Sequence, residues 1–224
     1  GVMTVMIGQG STLVAGITPM SLTVTAGDPD PLKTEVQLAG PNSAINLDGK
    51  SLGGALSAKF EFRDEHIAQT KAEINRLAMV MMSTLNDVQG NGLDLNRQQG
   101  ANIFTDINAT KIQESRVLAS ANNTGNVQAH VNITDVSLVP TDEFSIRFDG
   151  TDYQMTNKTT GAVTTLVESP PGTFATAHGF EFNIDSGAPA TEDTFTIRPT
   201  QNAISLSSVA MTDGSGIAAS SAVD

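Results

Sequence analysis

The side chains able to do chemistry are few and scattered. Three histidines, His66, His130 and His178, fall on different expected elements, and none has a carboxylate or hydroxyl neighbour at metal or triad spacing. Asp94, Asn96 and Gln98, followed by Gly100, alternate like the start of a calcium loop. The glycine comes one residue late, the fifth position is Gln98, and Thr105 stands where a bidentate glutamate belongs, so the pattern reads as loop folding. Arg63, Asp64 and Glu65 form a charged cluster, and Arg76 follows Glu73 by three residues; both read as solvated or interhelical ion-pair faces. No phosphate loop, nucleophile elbow or zinc-helix motif occurs. Cysteine is absent, which excludes disulfides, thiol catalysis and thiolate ligands. The 24 acidic residues guarantee some close carboxylate pairs, but one Tyr and no Trp leave a glycosidase reading without a sugar platform. The expectation is a non-enzyme with no catalytic residues, no metal site and no cofactor.

The elements that would position such groups point elsewhere. From about Gly54 to Val88, Phe60, Ile67, Ile74, Met81 and Val88 recur every seven residues, and Leu56, Leu77, Ala78 and Leu85 widen the seam, as a buried helical face requires. At ~1.5 Å per residue such a helix reaches roughly 50 Å. The rest of the chain reads as strand and turn. The seam of Phe60, Ile67, Ile74, Leu77, Met81 and Leu85 is therefore expected to pack against helices outside these 224 residues.

Before the helix, alternating residues from Val2 to Ile7 and from Met20 to Thr25 flank a Gly8–Thr12 turn signal and predict an antiparallel hairpin. A third extended stretch, 33–38, follows the Asp28-Pro29-Asp30-Pro31 turn. Ser51 is the expected helix start signal, with Gly53 and Gly54 allowing the chain to turn tightly into it. The helix is expected to fade near Asn86, ahead of Gly90-Asn91-Gly92, and Leu93, Leu95, Ile103 and Phe104 to pin the following polar loop to its end. From Arg116 the period becomes two. Stretches at 116–119, 127–133, 144–148, 153–155, 162–167, 179–184 and 193–198, joined by Gly, Asn and Asp turns, predict an antiparallel sandwich or barrel. After 204–209, the small residues from Gly214 onward read as a return toward helix.

The predicted fold class is α+β: an elongated two-domain protein with one long helix and a β-hairpin in a shaft domain, plus an antiparallel all-β outer domain. The expected division is 1–115 for the shaft, 116–202 for the outer domain and 203–224 for the return into the shaft. A formal charge of −12, with 12 scattered cations, argues against nucleic acid and anionic membrane as partners. No apolar run approaches ~18 residues, and no charged start followed by an apolar stretch resembles a signal peptide. The true amino terminus is expected to lie outside these residues.

Five pieces share order and spacing with a known family: Leu52-Gly53-Gly54-Ala55-Leu56, Phe62-Arg63-Asp64-Glu65, Asn75-Arg76-Leu77-Ala78, Gly92-Leu93-Asp94-Leu95-Asn96, and Gly100 with Phe104. Together they resemble the bacterial flagellar hook-associated protein 1 family, the hook-filament junction proteins. Residues 144–151 look like that family's outer β domain, 193–199 like its exit strand, and 9–16 like the hairpin before the long helix. The resemblance implies a secreted, extracellular axial protein of the flagellum, exported by the type III apparatus without a cleaved signal. Implied partners are copies of itself in a ring, the hook protein and the next hook-filament junction protein. It also implies that terminal helices driving polymerisation are missing here, so the isolated fragment is expected to be a monomer. Two departures stand out: Arg97 where the family often has Gly, and His66-Ile67-Ala68-Gln69 where many members carry Pro, which predicts a straighter helix through Ile67. The alternative from another class is an extracellular adhesin or binding module whose strands bind a receptor and whose helix is a stalk.

Overall fold

The computed structural model describes residues 3–8, 10–40 and 44–221. It divides into two compact units, Gly1–Thr70 and Lys71–Asp224. All strand pairings between named strands are antiparallel.

In the first unit, β1 (Thr4–Ile7), β2 (Ser11–Ala15) and β3 (Thr18–Pro19) form one sheet in that order, and β4 (Ser21–Ala26), β5 (Thr34–Ala39) and β6 (Ala44–Leu47) form another. This corrects the expected hairpin, of which Val2 and Gln9 lie outside the described residues: β1 pairs with Ser11–Ala15, and Ser21–Ala26 belongs to the other sheet. Gly8 and Gly10 take positive φ of 59° and 113°, conformations open to glycine, so the reversal is finished early and the run from Ser11 can pair at once. The stretch expected at 33–38 is β5. Across the second sheet Leu22 and Val24 stand opposite Leu38 and Val36, and Ile45 and Leu47 continue the same aliphatic face. Leu38, Leu47 and Leu52 are buried there, with Ile7, Leu13, Met20, Val36 and Phe60 packed against them.

Asp48 accepts a hydrogen bond from Lys50 N (3.1 Å) and starts a 3-10 turn over Gly49–Leu52. Helix α1 (Gly54–Glu61) follows with Gly53 as its N-cap at φ 77° and no side-chain cap. Ser51 therefore lies inside the 3-10 turn instead of capping the helix, because the left-handed reversal demands glycine. Phe62–Ile67 is a π-helical turn. The stretch through Ile67 that departs from the family's Pro thus takes the wider turn of i to i+5 hydrogen bonding.

Helix α2 (Ala68–Gly90), which belongs to the second unit from Lys71 onward, runs four residues past Asn86, where fading was expected, because Asn86 and Gln89 are buried and anchored. After β7 (Gly92–Leu93) come α3 (Thr110–Ser115), β8 (Val117–Ala119), β9 (Gln128–Ile133), β10 (Phe144–Phe148), β11 (Tyr153–Asn157), β12 (Val163–Thr165), β13 (Thr173–Ala175), β14 (Phe180–Ser186) and β15 (Thr194–Ile197). The order β12-β11-β10-β15-β8 makes one sheet and β13-β14-β9 a second. Alternate residues of both, Phe144, Ile146, Tyr153 and Phe195 from the first and Val131, Phe180 and Phe182 from the second, share one core into which Met79, Met82 and Ile107 also pack. Two facing sheets over one core make a sandwich. Neither α3 nor β13 is signalled by the sequence: each is short and carries less than a full period of pattern.

Arg116, which in the sequence reads only as the beginning of a strand, is fully buried at the corner between α3 and β8. Its guanidinium donates to the carbonyls of Ile107 (2.6 Å) and Val131 (3.1 Å) and to Asn108 Oδ1 (3.2 Å). Burial lowers its pKa to about 10 against the smaller opposing pull of Asp106. The described residues from Gly214 to Ser221 do not return to helix, and 222–224 lie outside the described residues. Asp213 caps a short 3-10 turn, Gly214–Gly216, and β16 (Ser220–Ser221) pairs with β7. Small side chains leave nothing for a helix to bury there.

Candidate assembly surface

Helix α2 carries two stripes. At ~100° per residue, Asn75, Met79, Met82, Asn86 and Gln89 share one face, and Ile74, Leu77, Met81, Leu85 and Val88 lie roughly 120° around the axis. The first face is turned inward: Met79 is 0 % exposed and Met82 5 %. The second faces solvent, with Leu77 at 71 % and Ile74 at 53 %. The apolar stripe is the uncovered one.

The inward polar residues of α2 hold backbone. Asn75 Oδ1 accepts from Ile204 N (3.2 Å). Asn86 both donates to Phe104 O and accepts from Phe104 N, each at 3.0 Å. Gln89 donates to Gly216 O (2.6 Å) and accepts from Ala218 N (3.1 Å). Asn108 holds both backbone groups of Ile133, and Asn123 those of Thr194, in the same way. Apart from Asn75, each of these carboxamides replaces one strand-like pair of hydrogen bonds, a role the abundance of Asn hints at without locating.

The other seam residues lie in the first unit. Phe60 does not wait for an outside helix: it packs on the Leu38, Leu47 and Leu52 core, with the Arg63 guanidinium 4.7 Å above its ring. Ile67 and Leu56 are exposed. Around the π turn, Arg63 makes a two-pronged pair with Asp64 (2.6 and 2.9 Å) and donates to Thr34 O (2.7 Å), while Lys33 reaches Asp64 at 3.2 Å. Burial pushes the Asp64 carboxyl up, yet Arg63 and Lys33 together hold it below its usual range. Glu65 pairs with Lys50, and Phe62 is exposed beside His66.

The remaining motif residues shape backbone. Gly53 and Gly54 take positive φ, 77° and 60°. Asp94 Oδ1 accepts from Asn96 N and Gln98 N, both 2.8 Å, folding the loop whose pattern is like a calcium site. Arg97 sits at φ 59°, which explains why glycine suits that position. A Cβ on Gly100 would overlap the Gln89 carbonyl.

The histidines remain apart. His130 Nδ1 meets Asp185 at 2.9 Å, a pairing between neighbouring strands 55 positions apart that spacing in the sequence could not show. His178 lies against the Phe144 ring, 4.9 Å between centroids. Among the described residues, no three His, Asp or Glu side chains converge as metal ligands, and no helix is long and apolar enough to cross a membrane.

Comparisons with known proteins agree on one relationship. Residues 1–104 match the flagellar hook-associated protein FlgK helical domain, and residues 118–199 match the flagellar hook-associated protein 1, D2-like domain. The chain is 29% identical over 226 residues to flagellar hook-associated protein 1 of Escherichia coli K12, covering 100% of this chain and 40% of that protein. It is 27% identical over 230 residues to the Salmonella typhimurium protein of the same name, covering 99% and 39%. The solved flagellar hook junction protein FlgK of Burkholderia pseudomallei superposes with a TM-score of 0.82 at 29% identity, over 97% of this chain and 40% of that one. The chain thus spans about two fifths of the length of these relatives. The adhesin alternative draws no support from them. Two domain models of one family that together match most of the chain, alignment of the whole of this chain to part of its members and a shared fold have a single reading: this chain belongs to the flagellar hook-associated protein 1 family.

Proposed function

We propose that the chain is part of a structural axial subunit of the bacterial flagellum, one that forms the junction ring between hook and filament. The observation carrying this reading is the exposed stripe Ile74, Leu77, Met81, Leu85 and Val88 on a helix whose opposite side is already packed. A contiguous aliphatic stripe in water marks a contact waiting to be made. The relatives' names support the setting, and the occupant in this reading is helices from the parts of the subunit beyond this two-fifths span. Copies of itself, the hook protein and the next junction protein are the proposed partners. In functional terms residues 1–115 and 203–224 act as shaft and 116–202 as outer domain, a division distinct from the two compact units. The role is mechanical, with no catalytic step and no cofactor, and its site of action is extracellular.

The test is complementation of a strain lacking the full-length gene. Full-length protein carrying Ile74→Asp and Leu77→Asp should leave bare hooks, with unpolymerised flagellin in the medium, where the unaltered protein restores filaments. Normal filaments from the double variant would refute the docking role of the stripe. The 224-residue chain alone is expected to elute as a monomer, and filament formation by it at high concentration would count against the scheme.

A further inference from the structure

Four strands form the outer edges of the sandwich, β12 and β8 in one sheet, β13 and β9 in the other. A bare edge strand invites another strand to pair with it, and proteins blunt such edges with charges, Pro, bulges or cover. The β9 edge is covered: Asn108 takes both backbone groups of Ile133, and Arg116 donates to Val131 O. The β13 edge carries the Glu168–Phe174 bridge and a bond from Ser169 N to Thr173 O (2.9 Å). Strand β12 has no such cover among the described residues. Leu166 N donates to Tyr153 O (2.8 Å) and Ala162 O accepts from Asn157 N (2.9 Å), so the even-numbered residues face β11. The N–H and C=O groups of Val163 and Thr165 therefore turn outward, where no described strand meets them. No charged residue and no Pro occurs from 159 to 167, the register with β11 is unbroken, and Val163 and Val167 are 64 % and 74 % exposed. A cleft distinguishes this edge further. It measures about 270 Å³, with Phe144 and Met155 as its floor and Asp142, Thr160, Thr164 and His178 around them. Asp142, the one carboxylate among its lining residues, is steadied by Asn157 Nδ2 (2.8 Å) and Thr159 Oγ1 (2.9 Å).

We propose that the β12 edge is a docking site for an extended segment of another protein, added as an antiparallel strand with a lysine opposite Thr164. The guest's main chain bonds Val163 and Thr165, and its side chains alternate between the two faces of the sheet. The residue opposite Thr164 shares that residue's face, on which Met155 also lies, so its side chain enters the cleft. Lysine suits the cleft: its methylene stem lies on Phe144 and Met155 while the ammonium reaches Asp142. Charge favours the same guest, because a chain of formal charge −12 repels acidic partners, whereas the uncharged 159–167 stretch admits a basic strand without opposing it. The site belongs to the sandwich and does not involve the α2 stripe.

The probe is the end-blocked peptide Thr-Thr-Val-Lys-Val-Thr-Thr, titrated into the intact 224-residue chain and followed through the chain's backbone amide resonances. The amides of Val163 and Thr165 should shift as the peptide is added. Glu in place of Lys should weaken binding about tenfold, and Asp142→Asn should remove the preference for Lys over norleucine. Val163→Pro deletes an outward donor without touching the ladder to β11 and should abolish the response. Should that variant fail to fold, N-methylation of the two peptide valines, whose N–H groups face β12, should abolish it in the unaltered chain. Unmoved Val163 and Thr165 amides, equal affinity for the Lys and Glu peptides, or undiminished binding after Val163→Pro or N-methylation would each overturn the proposal. Concentration-dependent shifts at β12 without peptide would overturn it too, by making a second copy of the chain the occupant.

Discussion

Two neighbouring positions on α2 should answer substitution in opposite ways. Met79 is fully buried in the sandwich core. Truncation to alanine removes its thioether contacts and leaves a cavity, a change that costs about 3 kcal/mol at such sites. For a unit of this size that corresponds to a fall in melting temperature of about 6–12 °C. Ile74→Asp, five residues earlier on the exposed stripe, should change the stability of the 224-residue chain by no more than about 0.5 kcal/mol, because its side chain already meets water. In the full-length protein the ranking reverses in kind: there Ile74→Asp would put an unpaired charge into a helix contact and cost several kcal/mol. Thermal unfolding followed by circular dichroism, on both variants in both chain lengths, measures all four values. If Ile74→Asp melts the short chain as Met79→Ala does, the stripe is part of this chain's own core. If Ile74→Asp leaves the full-length melting temperature untouched, nothing covers the stripe in the complete subunit.

Other substitutions probe the frame around that helix. Gly100→Ala should destabilise by about 1–3 kcal/mol, since the added methyl meets the Gln89 backbone carbonyl and not a flexible side chain; an unchanged denaturation midpoint would mean the loop shifts freely. Arg97→Gly should be neutral to about 1 kcal/mol stabilising, as relief of the left-handed conformation outweighs the extra unfolded-state freedom, and a clear loss in melting temperature would contradict this. Burial pushes the Glu143 carboxyl up, but hydrogen bonds from Lys158 (2.7 Å) and Arg198 (2.6 Å) prevail and hold it below its ordinary value. Its folded pKa is thus lower than its unfolded one, so the stability it brings is present above about pH 4.5 and lost as pH falls through the folded value. Glu143→Gln should flatten the acid limb of melting temperature against pH, and an unaltered limb would refute the assignment.

Much of the sandwich is legible in the sequence because each strand of four or more residues alternates against a buried core: Phe144, Ile146 and Phe148 announce β10, and the Asp149–Asp152 turn announces its partner. The helix is legible for the same reason, but its orientation is not. Periodicity marks the apolar stripe, and inside this chain that stripe is the face left open, while Asn75, Asn86 and Gln89 point inward. Hydrophobicity alone cannot show that a carboxamide will find both groups of a backbone residue. The hairpin misassignment has a similar root, since Met20–Thr25 alternates as well as Ser11–Ala15 does, and only the tight glycine turn decides between them. Beyond Gly214 the residues are too small to carry a pattern, and pairing with β7 settles their conformation. The five motif pieces carry the family relationship, but their spacing gives no hint that most of them bend or tether the main chain.

The carboxamide pairs also set how this protein ages. Hydrolysis of Asn86, Asn108 or Asn123 to aspartate exchanges an NH2 for an oxygen, so an anion would face the carbonyls of Phe104, Ile133 or Thr194 across about 3 Å. One lost ammonia would convert a two-bond tether into a repulsion. The residues following them, Asp87, Ala109 and Thr124, carry side chains that hinder the attack of the next backbone nitrogen, whereas Asn91, exposed and followed by Gly92, lacks that protection. Chemical wear should therefore begin at the turn after α2, beside the tethers, and reach the tethers themselves late.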